Sequence, residues 1–338
     1  MSELLVIIDP LSQLNPKSDT GLALCEAAHR RGHRVFVART KDLLLRDGVA
    51  WVHCRELQFL SIGRSACSPN LSVTQRECYH FELNDSPPTP RELSSFGAIF
   101  MRRDPPMDLD YLFATQILDR AETLVLNAPE GLRRCNEKLY ALEFSEWMPP
   151  SLVSQCTDTL RDFVGQHAEA VLKLLDGKGG EAVLMARRED RGLRAQLEMM
   201  TQRGRRFVMA QRFVPEALEG DKRLLLLDGK LEGVFKRVPS QDDFRGNIAA
   251  GAKVVRASAN ARELEICRAL GPRLVRDGLI FVGLDILGPY LSEINVTSPT
   301  GVRQVQALDG IDIASMLIEW SEQHLHRPLL CAPRGLEA

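Results

Sequence analysis

Several things are scarce or missing in this chain of 338 residues, and each removes a class of protein. No apolar run approaches the roughly 18 residues that a membrane span needs, so no membrane partner is expected. The opening Met1-Ser2-Glu3 has no basic stretch, and Leu4–Ile8 is cut short by Asp9, which argues against a secretory signal. The eight cysteines form no CxxC pair and are scattered, so reduced thiols in a cytoplasm are expected rather than a disulfide scaffold. The seven histidines include no HExxH, and the pair His324/His326 reads as a solvated helix end, so a catalytic zinc is not expected. Excess charge is missing too: 43 Lys and Arg against 45 Asp and Glu leave a net charge of -2, and no basic field favours nucleic acid. There is no internal repeat and no low-complexity segment.

What is present is an ordinary globular balance, 44% hydrophobic and 26% charged, over a length suited to about two domains. Leu4–Ile8 reads as a buried strand, Thr20–His33 as a helix ending at Arg-Gly, and Arg34–Ala38 as a second strand. This opening predicts a parallel α/β domain. Residues 50–95 read as short strands and loops. Phe96–Met101 is a strand, Asp108–Ala121 a helix, Leu124–Leu126 a strand and Gly131–Phe144 a helix. The texture then changes. Strands at Ala170–Leu175, Ala182–Ala186 and Phe207–Val214, a hairpin turning at Asp228-Gly229, and strands Leu279–Leu287 and Tyr290–Val296 alternate with helices Asp158–His167, Arg262–Arg276 and Ile311–Leu325. The second half is therefore an α+β unit. The boundaries expected are residues 1–126 for the first domain and 127–330 for the second, with a tail beyond about Arg327.

The sharpest chemical signal is Asp285, Glu293 and Asn295. Glu293 and Asn295 stand two apart on one strand, so their side chains share a face, and Asp285 lies across the short Gly288-Pro289 turn. Oxygen donors without Cys or His suit a hard cation such as Mg²⁺ shared with phosphates. The alternative is the wet face of a hairpin, which fits poorly with the apolar residues around Asp285. Asp176–Gly180 is glycine-rich but is neither a P-loop nor a Rossmann turn. Alone it reads as a flexible turn, although free glycine amides can close over a phosphate, and Lys173 stands three residues before it. Asp221-Lys222-Arg223 reads by itself as a solvated turn. Arg237, Arg245 and Asn247 flank a glycine-containing loop able to clamp an anion, and Arg102-Arg103-Asp104 closes a strand at the end where parallel α/β sheets bind ligands. Together these residues imply Mg-nucleotide chemistry on an anionic substrate.

The set Met101–Pro106 (MRRDPP), Asn136–Lys138 (NEK), Leu172–Gly180 (LKLLDGKGG), Met209–Gln211 (MAQ), Gly220–Arg223 (GDKR), Arg245–Gly251 (RGNIAAG), Phe281–Ile286 (FVGLDI) and Glu293–Thr300 (EINVTSPT) resembles the bacterial glutathione synthetase family of ATP-grasp ligases, nearly end to end and in order. The resemblance implies an N-terminal α/β substrate domain followed by an ATP-grasp unit, with a lid at about 150–210 and a C-terminal lobe. It implies ligation of γ-glutamylcysteine to glycine through an acyl phosphate, with ATP as co-substrate and Mg²⁺ or Mn²⁺ as cofactor, and a homo-oligomer, a tetramer. It gives ATP to Lys138, Lys173, Gly179, Gly180, Gln211, Val214 and Asp221. Metal falls to Asp285, Glu293 and Asn295, the transferring phosphoryl group to Arg223 and Arg245, and the peptide and glycine to Arg102, Asn247, Ser298 and Thr300. Lys178, Gln241–Phe244, Ala252 and Gln304 depart from the family pattern. The rival readings are an ATP-grasp ligase for another acid and amine, and a non-catalytic ATP-binding descendant.

Overall fold

A computed structural model describes residues 1–62, 78–83, 87–177, 183–239 and 252–331. The expectations placed on Gly179, Gly180, Arg245 and Asn247 lie outside the described residues. The N-terminal region runs β1 (Glu3–Ile8), α1 (Thr20–Arg30), β2 (Arg34–Ala38), β3 (Leu43–Arg46), β4 (Val49–Ile62), β5 (Cys78–Leu83), β6 (Thr89–Glu92), β7 (Ala98–Arg102), α2 (Leu109–Leu118), β8 (Leu124–Leu126) and α3 (Pro129–Arg134). Leu4–Ile8 is apolar at every position because β1 is central, flanked by β2 and β7 in parallel register and covered on both faces. Ala23, Leu24 and Ala27 of α1 pack with Leu4 and Val6 on one face. Tyr111, Ala114 and Leu118 of α2 pack with Leu5 and Ile7 on the other. The sheet order β3-β4-β2-β1-β7-β8 reverses its direction of growth at β1, so a crevice opens where β1 and β7 end side by side.

Residues 50–95 differ from expectation. Instead of short pieces, β4 is a single strand of 14 residues that pairs with β2, β3, β5 and β6. Its signal was the alternation of buried Ala50, Val52 and Cys54 with less buried Trp51, His53 and Arg55, obscured by the polar outer face. A second correction concerns Gly131–Phe144, expected as one helix. It breaks at Cys135 (φ -111°, ψ 74°) and resumes as a 3-10 turn at Tyr140–Trp147. The Asn136 carboxamide causes the break, accepting from the Lys138 and Leu139 amides at 3.2 and 3.1 Å and donating to Leu175 O at 3.2 Å.

The next sheet comprises β9 (Ser151–Ser154), β10 (Glu169–Leu174), β11 (Val183–Arg187) and β12 (Val208–Arg212), all antiparallel in the order β11-β10-β12-β9. It is backed by α4 (Thr157–His167) and α5 (Leu193–Met200), and its small core is built on Leu160, Phe163, Val164 and Leu197. α5 was not anticipated, although Leu193, Leu197 and Met200 keep helical spacing; the arginines around it masked the stripe. The last sheet has the order β15-β14-β13-β16-β17, from β13 (Asp221–Leu227), β14 (Lys230–Val238), β15 (Lys253–Arg256), β16 (Phe281–Leu287) and β17 (Tyr290–Asn295). α6 (Ala261–Arg276) packs Ile266, Leu270 and Leu274 on one face. α7 (Val302–Asp309), also unanticipated, and α8 (Ile313–Glu322) pack Val305, Ile313 and Leu317 on the other. A capping box starts α6: Asn260 accepts from the Glu263 amide at 2.9 Å and Glu263 accepts from the Asn260 amide at 2.8 Å, contributing about 1 kcal/mol.

Buried Asn127 ties the first and last sheets together. Its Oδ1 accepts from the Ile280 and Phe281 amides, both at 2.9 Å, and its Nδ2 donates to Phe281 O and Val296 O, both at 2.8 Å. Those four bonds fill the capacity of a carboxamide. They set the start of β16 and the end of β17 against β8.

Candidate active site

The site lies where the β11-β10-β12-β9 sheet faces β13, β16 and β17. Asp285 pairs directly with Glu293 across β16 and β17, and the register slips just beyond, so that Ile286 pairs with Leu291. Ser292 is the extra residue of this bulge. The bulge leaves Ser292 buried with its hydroxyl accepting from Lys173 Nζ at 3.0 Å. Lys173 Nζ also donates to Gln211 Oε1 at 2.8 Å. Among the described residues Lys173 has no carboxylate at ion-pair distance; burial pushes its ammonium below its usual value, and Lys138 adds repulsion. A desolvated, uncompensated lysine is suited to an arriving phosphate.

Lys138 comes from the opposite side, on the turn that Asn136 makes. Its Nζ donates to Gly177 O at 2.8 Å and to Glu293 Oε1 at 2.9 Å. Burial opposes its charge, but Glu293 and then Glu137 outweigh it and hold the ammonium above its ordinary value. Glu137 of the NEK segment accepts through one oxygen from the Val296 amide (3.0 Å), the Thr297 amide (3.2 Å) and the Thr297 hydroxyl (2.7 Å). Its own backbone oxygen accepts from the Ile294 amide at 3.1 Å. NEK and EINVT therefore form one hydrogen-bonded unit.

Arg223 and Asp221 do not lie on a solvated turn. Both are buried on β13, and this is a correction to the reading of that triplet taken alone. Gly220 makes the close approach possible: with φ at 101°, its α-carbon sits against the Arg237 backbone oxygen where a side chain has no room. Asp221 then accepts from Arg237 Nε at 3.1 Å, with a second contact from Arg237 Nη2. Arg223 crosses Gly283, where an added Cβ would stand 3.1 Å from its Cδ, and reaches Asp285 with two bonds, the Nη2 bond at 2.9 Å. Arg237 Nη2 lies 3.0 Å from Asp285 Oδ2, and Asn295 Nδ2 donates to the same oxygen at 3.2 Å. Burial opposes ionisation of Asp285, but the two guanidiniums win and hold its carboxyl well below the usual carboxylate range.

The donor set can be tested against a divalent cation. Asp285, Glu293 and Asn295 offer oxygen alone, on paired strands, as a hard cation requires. Among the described residues one Glu293 oxygen and the Asn295 carbonyl have no protein partner, whereas Asp285 already accepts four bonds, about the number a carboxylate can take. The residues fit, with Asp285 available only by exchanging an arginine.

The remaining residues spread around this centre. Gln211 is buried on β12 and fixed between Lys173 and Ser151 (3.0 Å), and Val214 is buried beside it. Arg102 reaches across from β7 to donate to Pro299 O at 2.8 Å. Ser298 Oγ lies 3.4 Å from Arg102 O, and Thr300 O accepts from Arg223 Nη1 at 3.3 Å. The structure thus brings Lys138, Lys173, Gln211, Arg223, Asp285, Glu293, Asn295 and Thr300 together, with Arg102 and Ser298 on the far rim. Arg237, Glu137 and Ser292 join them. Arg237, expected to clamp an anion, is instead paired with Asp221 and Asp285; for Glu137 the NEK motif was the available signal, and for Ser292 there was none, because a bulge is set by pairing.

The family model described as the prokaryotic glutathione synthetase N-terminal domain matches residues 2–133, and the one described as the ATP-grasp domain of the same family matches residues 137–310. A glutathione synthetase of Thermosynechococcus vestitus is 43% identical, covering 93% of this chain and 98% of that protein. One of Gloeobacter violaceus is 44% identical over 97% and 98%. Among solved structures, the D-cycloserine synthetase DcsG superposes with a TM-score of 0.63 at 15% identity, covering 95% of this chain and 99% of that one. A Chryseobacterium gregarium RiPP-associated ATP-grasp ligase superposes with a TM-score of 0.62 at 12% identity, covering 98% and 100%. At such identities these two speak for the ATP-grasp fold alone.

Proposed function

The chain belongs to the prokaryotic glutathione synthetase family, an ATP-dependent ligase family, and from that premise we propose how its cleft joins γ-glutamylcysteine to glycine. The observation that carries the proposal is the meeting of Lys138, Lys173 and Arg223 with Asp285, Glu293 and Asn295 between two sheets. Lys138, Lys173, Arg223 and Arg237 give four positive charges, and Asp221, Asp285, Glu293 and Glu137 give four negative ones, so the described cluster is balanced without a ligand. Such a site accepts a nucleotide triphosphate together with the cations that neutralise it.

Lys138 and Lys173 hold phosphates of ATP; Lys173 gains the counter-charge it lacks, while Lys138 is steered by Glu293. Gln211 keeps Lys173 aimed, and the backbone of Gln211–Val214 lines the adenine. Asp221 meets the ribose and anchors Arg237. A divalent cation, Mg²⁺ or Mn²⁺, would be held by Glu293, Asn295 and Asp285 and would neutralise phosphate charge there. Arg223 would turn its fork from Asp285 onto the transferring phosphoryl group, and Arg245 would join it there. The cysteinyl carboxylate attacks the γ-phosphate, ADP leaves, and the amine of glycine displaces phosphate from the acyl phosphate. Positioning and charge neutralisation suffice for phosphoryl transfer, consistent with a site built of cations and oxygen donors. Gly179 and Gly180 close over the phosphates and exclude water, which the acyl phosphate requires. Arg102, Asn247, Ser298 and Thr300 receive the peptide and glycine. The same reading makes the protein a cytoplasmic homo-oligomer, a tetramer, which gel filtration with light scattering checks.

The experiment is a coupled assay of ADP release. Release that needs γ-glutamylcysteine and glycine together, and is at background with other acid–amine pairs, supports the reading. Equal release with another pair replaces the substrates, and no release with any pair rejects the ligase.

A further inference from the structure

β17 ends at Asn295, and residues 296–300 run on outside any strand. Their carbonyls are held from three directions: Asn127 donates to Val296 O at 2.8 Å, Arg102 to Pro299 O at 2.8 Å and Arg223 to Thr300 O at 3.3 Å. Those three groups are donors, so they cannot serve the amides of the same segment. Glu137 supplies the acceptor. One of its carboxylate oxygens takes the Val296 amide, the Thr297 amide and the Thr297 hydroxyl. Val296 and Thr297 are 0% and 3% exposed, so without that oxygen these donors would be stranded away from water. Three donors converging on one oxygen fix the direction in which the chain leaves β17 as well as its distance. Glu293 and Asn295 stand just before this anchor, and Ser298 and Thr300 just after it.

Lys138 does not depend on this contact. Its amide donates to Asn136 Oδ1, and its Nζ donates to Gly177 O and Glu293 Oε1. The bond from the Ile294 amide falls on the backbone oxygen of residue 137 and survives any change of side chain there. The Glu137 carboxylate therefore acts forward on residues 296–300, and not back on the lysine. We infer that Glu137 is a positioning residue for the second half of the reaction, setting Ser298–Thr300 against Glu293 and Asn295 so that glycine, rather than water, reaches the acyl phosphate. The role rests on the function proposed above and assigns the carboxylate to one step of it. In that step the neutral amine of glycine attacks the acyl carbon, a C–N bond forms, and the C–O bond to phosphate breaks with its electron pair and the amine's proton leaving on phosphate. With residues 298–300 displaced, water attacks the same carbon. The peptide carboxylate is then regenerated, and phosphate leaves with both protons of the water, so one ATP is consumed without product.

The test measures ADP and glutathione in the same reaction, together with the KM for glycine and for ATP, in wild type, Glu137→Ala, Glu137→Gln and Thr297→Val. Wild type is expected to release one ADP for each glutathione. Glu137→Ala is expected to raise the KM for glycine by about tenfold or more and to release about three or more ADP per glutathione, with the KM for ATP within about twofold of wild type. Glu137→Gln keeps an acceptor oxygen with two lone pairs and is expected to return the ratio to within about twofold of wild type, which a general loosening of the fold would not allow. Thr297→Val removes one of the three bonds and is expected to move the KM for glycine in the same direction by about threefold. A ratio that stays at one in Glu137→Ala, or a KM for ATP that rises as much as that for glycine, overturns the inference. Melting curves show whether Glu137→Ala is folded at the assay temperature; if it is not, Thr297→Val decides, and an unchanged KM for glycine in that variant overturns the inference. If wild type makes no ADP with γ-glutamylcysteine and glycine, the proposed function itself falls; if wild type is coupled and the variants stay so, the role of Glu137 alone falls.

Discussion

Asp285→Asn is expected to damage the fold more than its size suggests. The carboxylate accepts two bonds from Arg223, one from Arg237 at 3.0 Å and one from Asn295 at 3.2 Å, with the Asp285 side chain 11% exposed and the two arginines 6% and 7% exposed. The asparagine keeps the shape but turns an amide toward two guanidiniums, and Asp221 alone is left to balance them. Breaking a buried pair by removing one partner costs about 3–5 kcal/mol, out of roughly 5–15 kcal/mol for a whole domain. At about 2–4 °C per kcal/mol for a domain of 150–250 residues, the C-terminal transition falls by roughly 6–20 °C. Calorimetry on both proteins without nucleotide measures it at neutral pH. The pH dependence supplies a second check. The folded carboxyl of Asp285 lies below its unfolded value near 4, so its contribution is complete above about pH 4 and is lost as pH falls toward the depressed folded value. The gap between wild type and variant should therefore narrow below about pH 4. A fall of less than about 2 °C, or a gap independent of acid, would refute the view that Asp285 holds the arginines.

Its register partner should behave oppositely. The Glu293 side chain is 22% exposed and bonded to Lys138, so Glu293→Gln should cost about 1 kcal/mol or less in melting yet lower Mg-dependent ADP release by about a hundredfold, only partly recovered by excess Mg²⁺. Near-normal turnover at low Mg²⁺ rejects the metal role. Lys173→Met should raise the KM for ATP by at least about tenfold and abolish the thermal protection that Mg-ATP gives wild type, scored by melting with and without nucleotide. Arg245→Lys keeps the charge but loses the planar fork, so kcat should drop by about tenfold or more; full activity would reject its role at the phosphoryl group.

The grouping of Asp285, Glu293 and Asn295 was readable because strand alternation is a local rule: Glu293 and Asn295 had to share a face, and the Gly288-Pro289 turn had to bring Asp285 alongside. The arginines on Asp285 were not readable, since Arg223 and Arg237 arrive through the register of β13, β14 and β16, which residue order alone does not specify. Ser292 was hidden for the same reason, its burial depending on one slipped residue. Lys138 was recognised by motif but wrongly set in a helix, because Leu132, Cys135, Leu139 and Leu142 mimic helical spacing across the turn that Asn136 makes.

In the proposed reaction, γ-glutamylcysteine is activated at its cysteinyl carboxylate by ATP before the amine of glycine attacks. Peptide carrying heavy oxygen in that carboxylate, incubated with Mg-ATP, glycine and the full chain, tests it by mass spectrometry of the released phosphate and peptide. One heavy oxygen is expected in each phosphate molecule formed, with the other retained in the new amide. Phosphate free of the label, while glutathione still accumulates, would contradict it.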